Sequence, residues 1–126
     1  MTDYTHPVTG MKSCMPPVPD TRSPSFTAPK GACDAHCHVF GPHEVFPYHP
    51  KSTYHPPDGP KEKLAELHQK LGIDRAVIVQ ASCHGPDNRA MMDAIASSPE
   101  NIEASVLQMT AFQMKISLTF CSPCAC

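Results

Sequence analysis

The run Arg75-Ala76-Val77-Ile78-Val79-Gln80 does most to limit what this chain can become. It is short, continuous and β-branched, with turn signals on either side, which suits a parallel strand covered on both faces. A parallel partner requires a crossover of roughly a dozen residues or more. The sequence before it supplies one. Pro60 opens a helix, as proline does well at the first helical position, with Asp58 or Gly59 before it as cap. Leu64, Leu67 and Leu71 make a single apolar stripe, and Gly72 supplies the C-terminal stop. Further upstream, Ala32–Phe40 is free of proline and ends at Gly41-Pro42. Strand, loop, helix and buried strand make a βαβ unit, and hence an α/β fold.

Side chains alternate along a strand, so Asp34, His36 and His38 are expected on one face, with Cys33, Ala35, Cys37 and Val39 on the other. The first face is polar and imidazole-bearing, as in a strand that lines a site; the second is small and apolar, as in a strand that is packed. Gly41–Gly59 is a loop of roughly twenty residues, a length that usually means function or disorder. After the buried strand, Ala81–Asn88 reads as a loop containing Ser82, Cys83 and His84. A second helix is expected from about Asn88 to Ser97 on Met91, Met92 and Ile95, and a third strand near Ile102.

The ends differ in kind. Twelve of the fifteen prolines fall in the first sixty residues. Residues 1–30 have no period of two or 3.6 and few aliphatic side chains, so burial cannot offset their ordering entropy. They read as a disordered, Pro-rich leader, without the charged start and apolar run of a secretory signal. Residues 31–103 carry the ordered pattern. Residues 104–126 hold one charged residue and no glycine, and do not continue the βα rhythm. This tail reads as non-homologous to the fold, as a shifted reading frame, a retained intron or a gene-model error would produce. Its Gln108, Gln113 and Lys115 interrupt any stretch of ~20 apolar residues, so no membrane span is expected. A net charge of −2 without a basic stripe gives no reason to expect nucleic acid. Seven cysteines and no export signal make the cytoplasm the simplest compartment.

The strongest chemical signal is His36-x-His38 at the C-terminal end of the first strand. Two imidazoles at i and i+2 point the same way, close enough to grip one metal ion or one polarised oxygen. In a βα barrel, active sites assemble at those strand ends. Ordinary histidines in a chain that holds eight are the plainer explanation. A competing constellation, for a small non-catalytic zinc-binding module, is Cys33, His36, Cys37, His38, Cys83, His84 and the tail Cys121-x-x-Cys124-x-Cys126. It holds only one CxxC half-site, and Cys33 and Cys37 face away from the histidines if the strand alternates regularly. His68, beside the leucine stripe, reads as a helix-flank residue.

GACDAHCHVFGP, followed by FPYHPKSTY, the helix and RAVIVQASCHGPDN, resembles the start of the 2-pyrone-4,6-dicarboxylate hydrolases, lactonases of the amidohydrolase superfamily. The likeness covers about Gly31–Ile102. It implies the opening βα units of a (β/α)8 TIM barrel, and hydrolytic opening of a lactone. His36 and His38 would polarise the lactone carbonyl, with or without a metal; no cofactor is required by this resemblance, though a divalent metal such as zinc is compatible with the pair. Tyr54 and Ser82 fall where the family contacts its substrate, a small lactone or carboxylate. The further histidine, the arginines and the water-activating aspartate of later strands have no counterpart here, so this truncated chain is expected to be inactive. A barrel needs ~250 residues.

Overall fold

A computed structural model of the chain describes residues 4–98 with their side chains, and the backbone of residues 102–110 and 113–118. The elements run β1 (Cys33–Cys37), α1 (Lys61–Leu71), β2 (Arg75–Val79), a 3-10 turn (Ser82–His84), α2 (Arg89–Ser97), β3 (Ile102–Thr110) and β4 (Gln113–Leu118). They build one sheet in the order β1-β2-β3-β4. β1, β2 and β3 are parallel; β4 returns antiparallel on β3. The expected change of character after Glu103 thus falls inside β3, and the βα alternation ends at the β3–β4 pair. No helix among the described residues is long and apolar enough to cross a membrane.

Both helices pack on the same side of the sheet, as right-handed crossovers between parallel strands dictate. The core is Cys37, Val39, Ala76, Ile78, Ala90, Met91 and Ala94, with Phe46, Leu64 and Ile95 packed against it. β2 therefore departs from the expectation of cover on both faces. Ala76 and Ile78 are buried under the helices, while Val77 and Val79 on the other side are only half-buried. The helix faces also shift from the expected stripes. In α1 the inward line is Leu64, His68 and Leu71, with Leu67 exposed. In α2, Met91 is buried and Met92 points outward.

Pro60 is the N-cap of α1 rather than its first residue, and no side chain caps that end. Asp58 is engaged elsewhere: its carboxylate accepts the His43 amide at 3.2 Å and lies 3.4 Å from His43 Nδ1. Gly72 closes α1 in the left-handed region (φ 72°), donating its amide to the last turn. A β-carbon there would strike the Thr27 methyl at 2.6 Å, so the stop depends on glycine for two reasons.

Residues 4–30 contain no helix and no strand beyond a single bridge between Thr5 and Lys12. This leader nonetheless makes specific contacts. His6 is buried, and His55 donates its amide to Lys12 O at 2.9 Å. Lys70 of α1 donates to the Thr21 carbonyl, and Ala28 donates to Leu71 O.

Candidate functional site

The pairing of β1 with β2 contains the feature that distributes the polar residues. Asp34 pairs with Ala76 and Cys37 with Ile78, so three steps on β1 match two on β2. That is a β-bulge, one extra residue that breaks the simple alternation. Ala76 and Ile78 share the helix-covered face, so Asp34 and Cys37 share it too. This corrects the expectation that Asp34 stands with His36 and His38. Asp34 Oδ2 instead accepts from His68 Nε2 at 3.0 Å. Its other oxygen accepts the His36 amide at 3.2 Å across the bulge.

Beyond the bulge, Cys37 and Val39 turn inward, while His36 and His38 stay exposed on the opposite side. Their ring centroids lie 5.0 Å apart in an edge-to-face arrangement. His38 Nδ1 is 2.8 Å from Val79 O at the end of β2. A carbonyl only accepts, so Nδ1 carries the proton, and Nε2 of the neutral ring keeps a free lone pair. The two histidines thus stand together at the C-terminal end of β1, one of them oriented by the adjacent strand.

Tyr54 and Ser82 are also brought together. The long loop is closed at its base by reciprocal hydrogen bonds between Phe40 and Gly59, at 2.9 and 2.8 Å. Within it, Ser52 Oγ donates to Tyr54 O at 2.5 Å. Tyr54 Oη then meets Ser82 Oγ at 2.9 Å. Ser82 sits just past β2 in a turn braced by Gln80, whose buried amide donates to Gly85 O at 3.2 Å and Asp87 O at 2.9 Å. One hydroxyl pair therefore links the first loop to the second.

The neighbours of Ser82 do not form a nucleophile pair. Cys83 is buried, and burial pushes its thiol up to about 11. His84 is buried with its ring 5.1 Å from Tyr48, and loss of solvent holds its imidazole below the usual range. His43, His55 and His6 gather around the same tyrosine rather than lining the His36–His38 face.

His36 and His38 can supply two donors to a divalent ion, and the Val79 bond on His38 is the outer-shell anchor such ligands commonly have. A zinc site requires three or four donors. Among the described residues no further His, Cys, Asp or Glu donor joins this pair. Among the described residues the cysteine–histidine constellation of a zinc module is not brought together either: Cys33 is exposed and Cys37 is buried on the helix side, while Cys121, Cys124 and Cys126 lie outside the described residues. A different trio is brought together, Asp34, Cys37 and His68. The sequence carried one clue to it. His68 lies four residues after Leu64 and three before Leu71, so on a helix it belongs to the inward stripe and needs a polar partner there.

The clefts among the described residues include ones of about 260 and 640 Å³. The first lies between the long loop and the helices, the second between the leader and α1, and neither is lined by His36, His38, Tyr54 or Ser82.

A family model for amidohydrolases matches residues 33–109. The chain is 56% identical over 75 residues to a 2-pyrone-4,6-dicarboxylate hydrolase of Comamonas testosteroni, covering 60% of this chain and 25% of that one. It is 44% identical over 93 residues to a 4-sulfomuconolactone hydrolase of Rhizobium radiobacter, covering 74% of this chain and 31% of that one. It thus spans between a quarter and a third of the length of these curated relatives. Among solved structures, a probable 2-pyrone-4,6-dicarboxylic acid hydrolase of Acinetobacter baumannii with citric acid bound matches in fold, with a TM-score of 0.57 at 22% identity, over 63% of this chain and 29% of that one. An apo structure from Agrobacterium tumefaciens matches with a TM-score of 0.53 at 31% identity, over 67% of this chain and 30% of that one.

Proposed function

Because the chain belongs to the amidohydrolase family, we propose that residues 31–103 are the opening βα units of a (β/α)8-barrel lactonase, with residues 1–30 as a leader and 104–126 as a tail outside the barrel pattern. In that enzyme His36 and His38 polarise the lactone carbonyl, and Tyr54 and Ser82 hold a carboxylated substrate. Hydrolysis adds water across the acyl–oxygen bond: hydroxide bonds to the carbonyl carbon, the ring C–O bond breaks, and the ring oxygen takes a proton. The general base for that water must stand within hydrogen-bond reach of it. Asp34 does not serve, because it is bonded to His68 on the helix side. The isolated chain is therefore inactive in this reading. Cytoplasmic placement accords with Cys14, Cys33, Cys37 and Cys83, all of which are free thiols.

The observation that carries the reading is the exposed His36–His38 pair at the end of a parallel strand, with His38 fixed by Val79 O. The test is a chimera in which residues 31–102 replace the matching opening segment of the Comamonas testosteroni hydrolase, assayed on 2-pyrone-4,6-dicarboxylate. The chimera should turn over, and His36→Asn or His38→Asn in it should each lose about 10²–10³-fold in rate, the usual cost of one polarising group. Full activity in either variant would defeat the assignment. The chain on its own should leave the lactone intact.

A further inference from the structure

We propose that Asp34, Cys37 and His68 form a three-donor zinc site on the helix-covered face of the sheet, distinct from the His36–His38 pair on the opposite face. One ligand atom from each of the three side chains lies within 4.8 Å of the other two. Asp34 and His68 already touch at 3.0 Å. Donors around a tetrahedral zinc, at bonds of about 2.0–2.3 Å, stand roughly 3.3–3.8 Å apart. Binding would draw the set in from its present spacing to that one. The bulge in β1 is what makes the site: it puts Asp34 and Cys37, three residues apart, on one face, where His68 of α1 meets them.

An imidazole–carboxylate pair by itself accounts for Asp34 and His68, but not for the thiol pressed beside them. Cys37 makes one long contact, 3.5 Å from its sulfur to Val77 O. Burial, and then the Asp34 charge, hold its proton on up to about 11. A divalent cation reverses that situation, because it displaces the thiol proton and is met by two negative ligands and a neutral imidazole. The mixed sulfur, nitrogen and oxygen set selects zinc over the oxygen-seeking magnesium and calcium. Entry is open from one side, since the Asp34 side chain is 29% exposed while that of His68 is only 11%. Water takes the fourth position from there. The ion would clip β1 to α1, and this role is independent of any lactonase activity.

The test uses the full chain with Cys121, Cys124 and Cys126 changed to serine, since those tail thiols would compete for soft metals. Titration with Co²⁺ should give one equivalent bound, with a near-ultraviolet thiolate-to-cobalt charge-transfer band that Zn²⁺ abolishes. Cys37→Ser, a near-isosteric change, should remove the band, and Asp34→Asn should weaken binding at least tenfold. A His36→Asn/His38→Asn double variant should keep both band and affinity. His68→Asn should weaken binding likewise, with circular dichroism reporting whether α1 persists; if it unfolds, the Cys37 and Asp34 variants decide. Absence of the band, its survival in Cys37→Ser, or its loss in the His36/His38 variant overturns the proposal.

Discussion

The two faces of the sheet divide the tasks of the molecule. On the helix side Ala76 and Ile78 are sealed, 2% and 0% exposed, and the polar residues there are bonded in place. On the other side His36 and His38 are exposed, and Val77 and Val79 are only half-covered. The packed core lies on the first face and the exposed imidazoles stand on the second. A strand of strict alternation would have put Asp34 with the histidines. The bulge instead lets DAHCH contribute a buried tether and an exposed pair within five residues, at the cost of an irregular ladder on β1.

This contrast is sharpest at neighbouring positions of β2. Ile78→Ala removes buried methyl and methylene groups from the centre of the core and should cost about 2–5 kcal/mol by urea denaturation, enough to unfold a marginal chain. Val77→Ala, one residue away on the open face, should cost less than about 1 kcal/mol. Equal losses would mean that the open face is covered in solution.

The Asp34–His68 tether comes next. Burial raises the Asp34 carboxyl, but the His68 hydrogen bond, the His36 amide and the charges of both histidines outweigh it, leaving the group below its ordinary 3.8. The folded chain thus binds this proton more weakly than the unfolded one. The stabilisation is full above the unfolded value and is lost as pH falls through the lower folded value. Asp34→Asn should cost about 1 kcal/mol at pH 7 and flatten the acid arm of the stability profile. An acid arm of unchanged slope in that variant would show that the tether contributes nothing.

How much of this could be read in advance follows from which signals are local. The apolar run of β2, the Gly72 stop and the βαβ order are local, and each is present at or within a residue of its expected position. Met92 and Leu67 lie outside the inward stripes because hydrophobicity does not say which of several apolar positions meets the sheet; packing decides that. The bulge between Asp34 and Cys37 leaves no mark in composition, since it is set by register against Arg75–Val79, some forty residues away. The tether went unread with it. The Tyr54–Ser82 contact was reachable only through resemblance to lactonases, because it joins two loops across 28 residues.

The smallest effect concerns the leader, which is held by the long loop and by α1. His55 holds it through its amide, bonded to Lys12 O, and its Nδ1, 2.9 Å from Thr9 Oγ1. Burial, then the proximity of His6 and His43, lower the His55 imidazole below its ordinary 6.5. Asp58, on the same loop, is bonded to His43. Docking therefore favours neutral His55, is complete above pH 6.5, and weakens as pH falls below it toward the folded value. Hydrogen exchange of the His55 amide and of the Ser13 amide, which donates to Tyr4 O within the leader, corrected for intrinsic rate, should lose protection a few-fold between pH 7.5 and 5.5, while the amides of α1 keep theirs. In His55→Gln that pH dependence should disappear. Loss of protection in α1 to the same extent would place the sensitivity in the sheet and helices as a whole, and would erase the distinction between a loosely held edge and a tightly packed face.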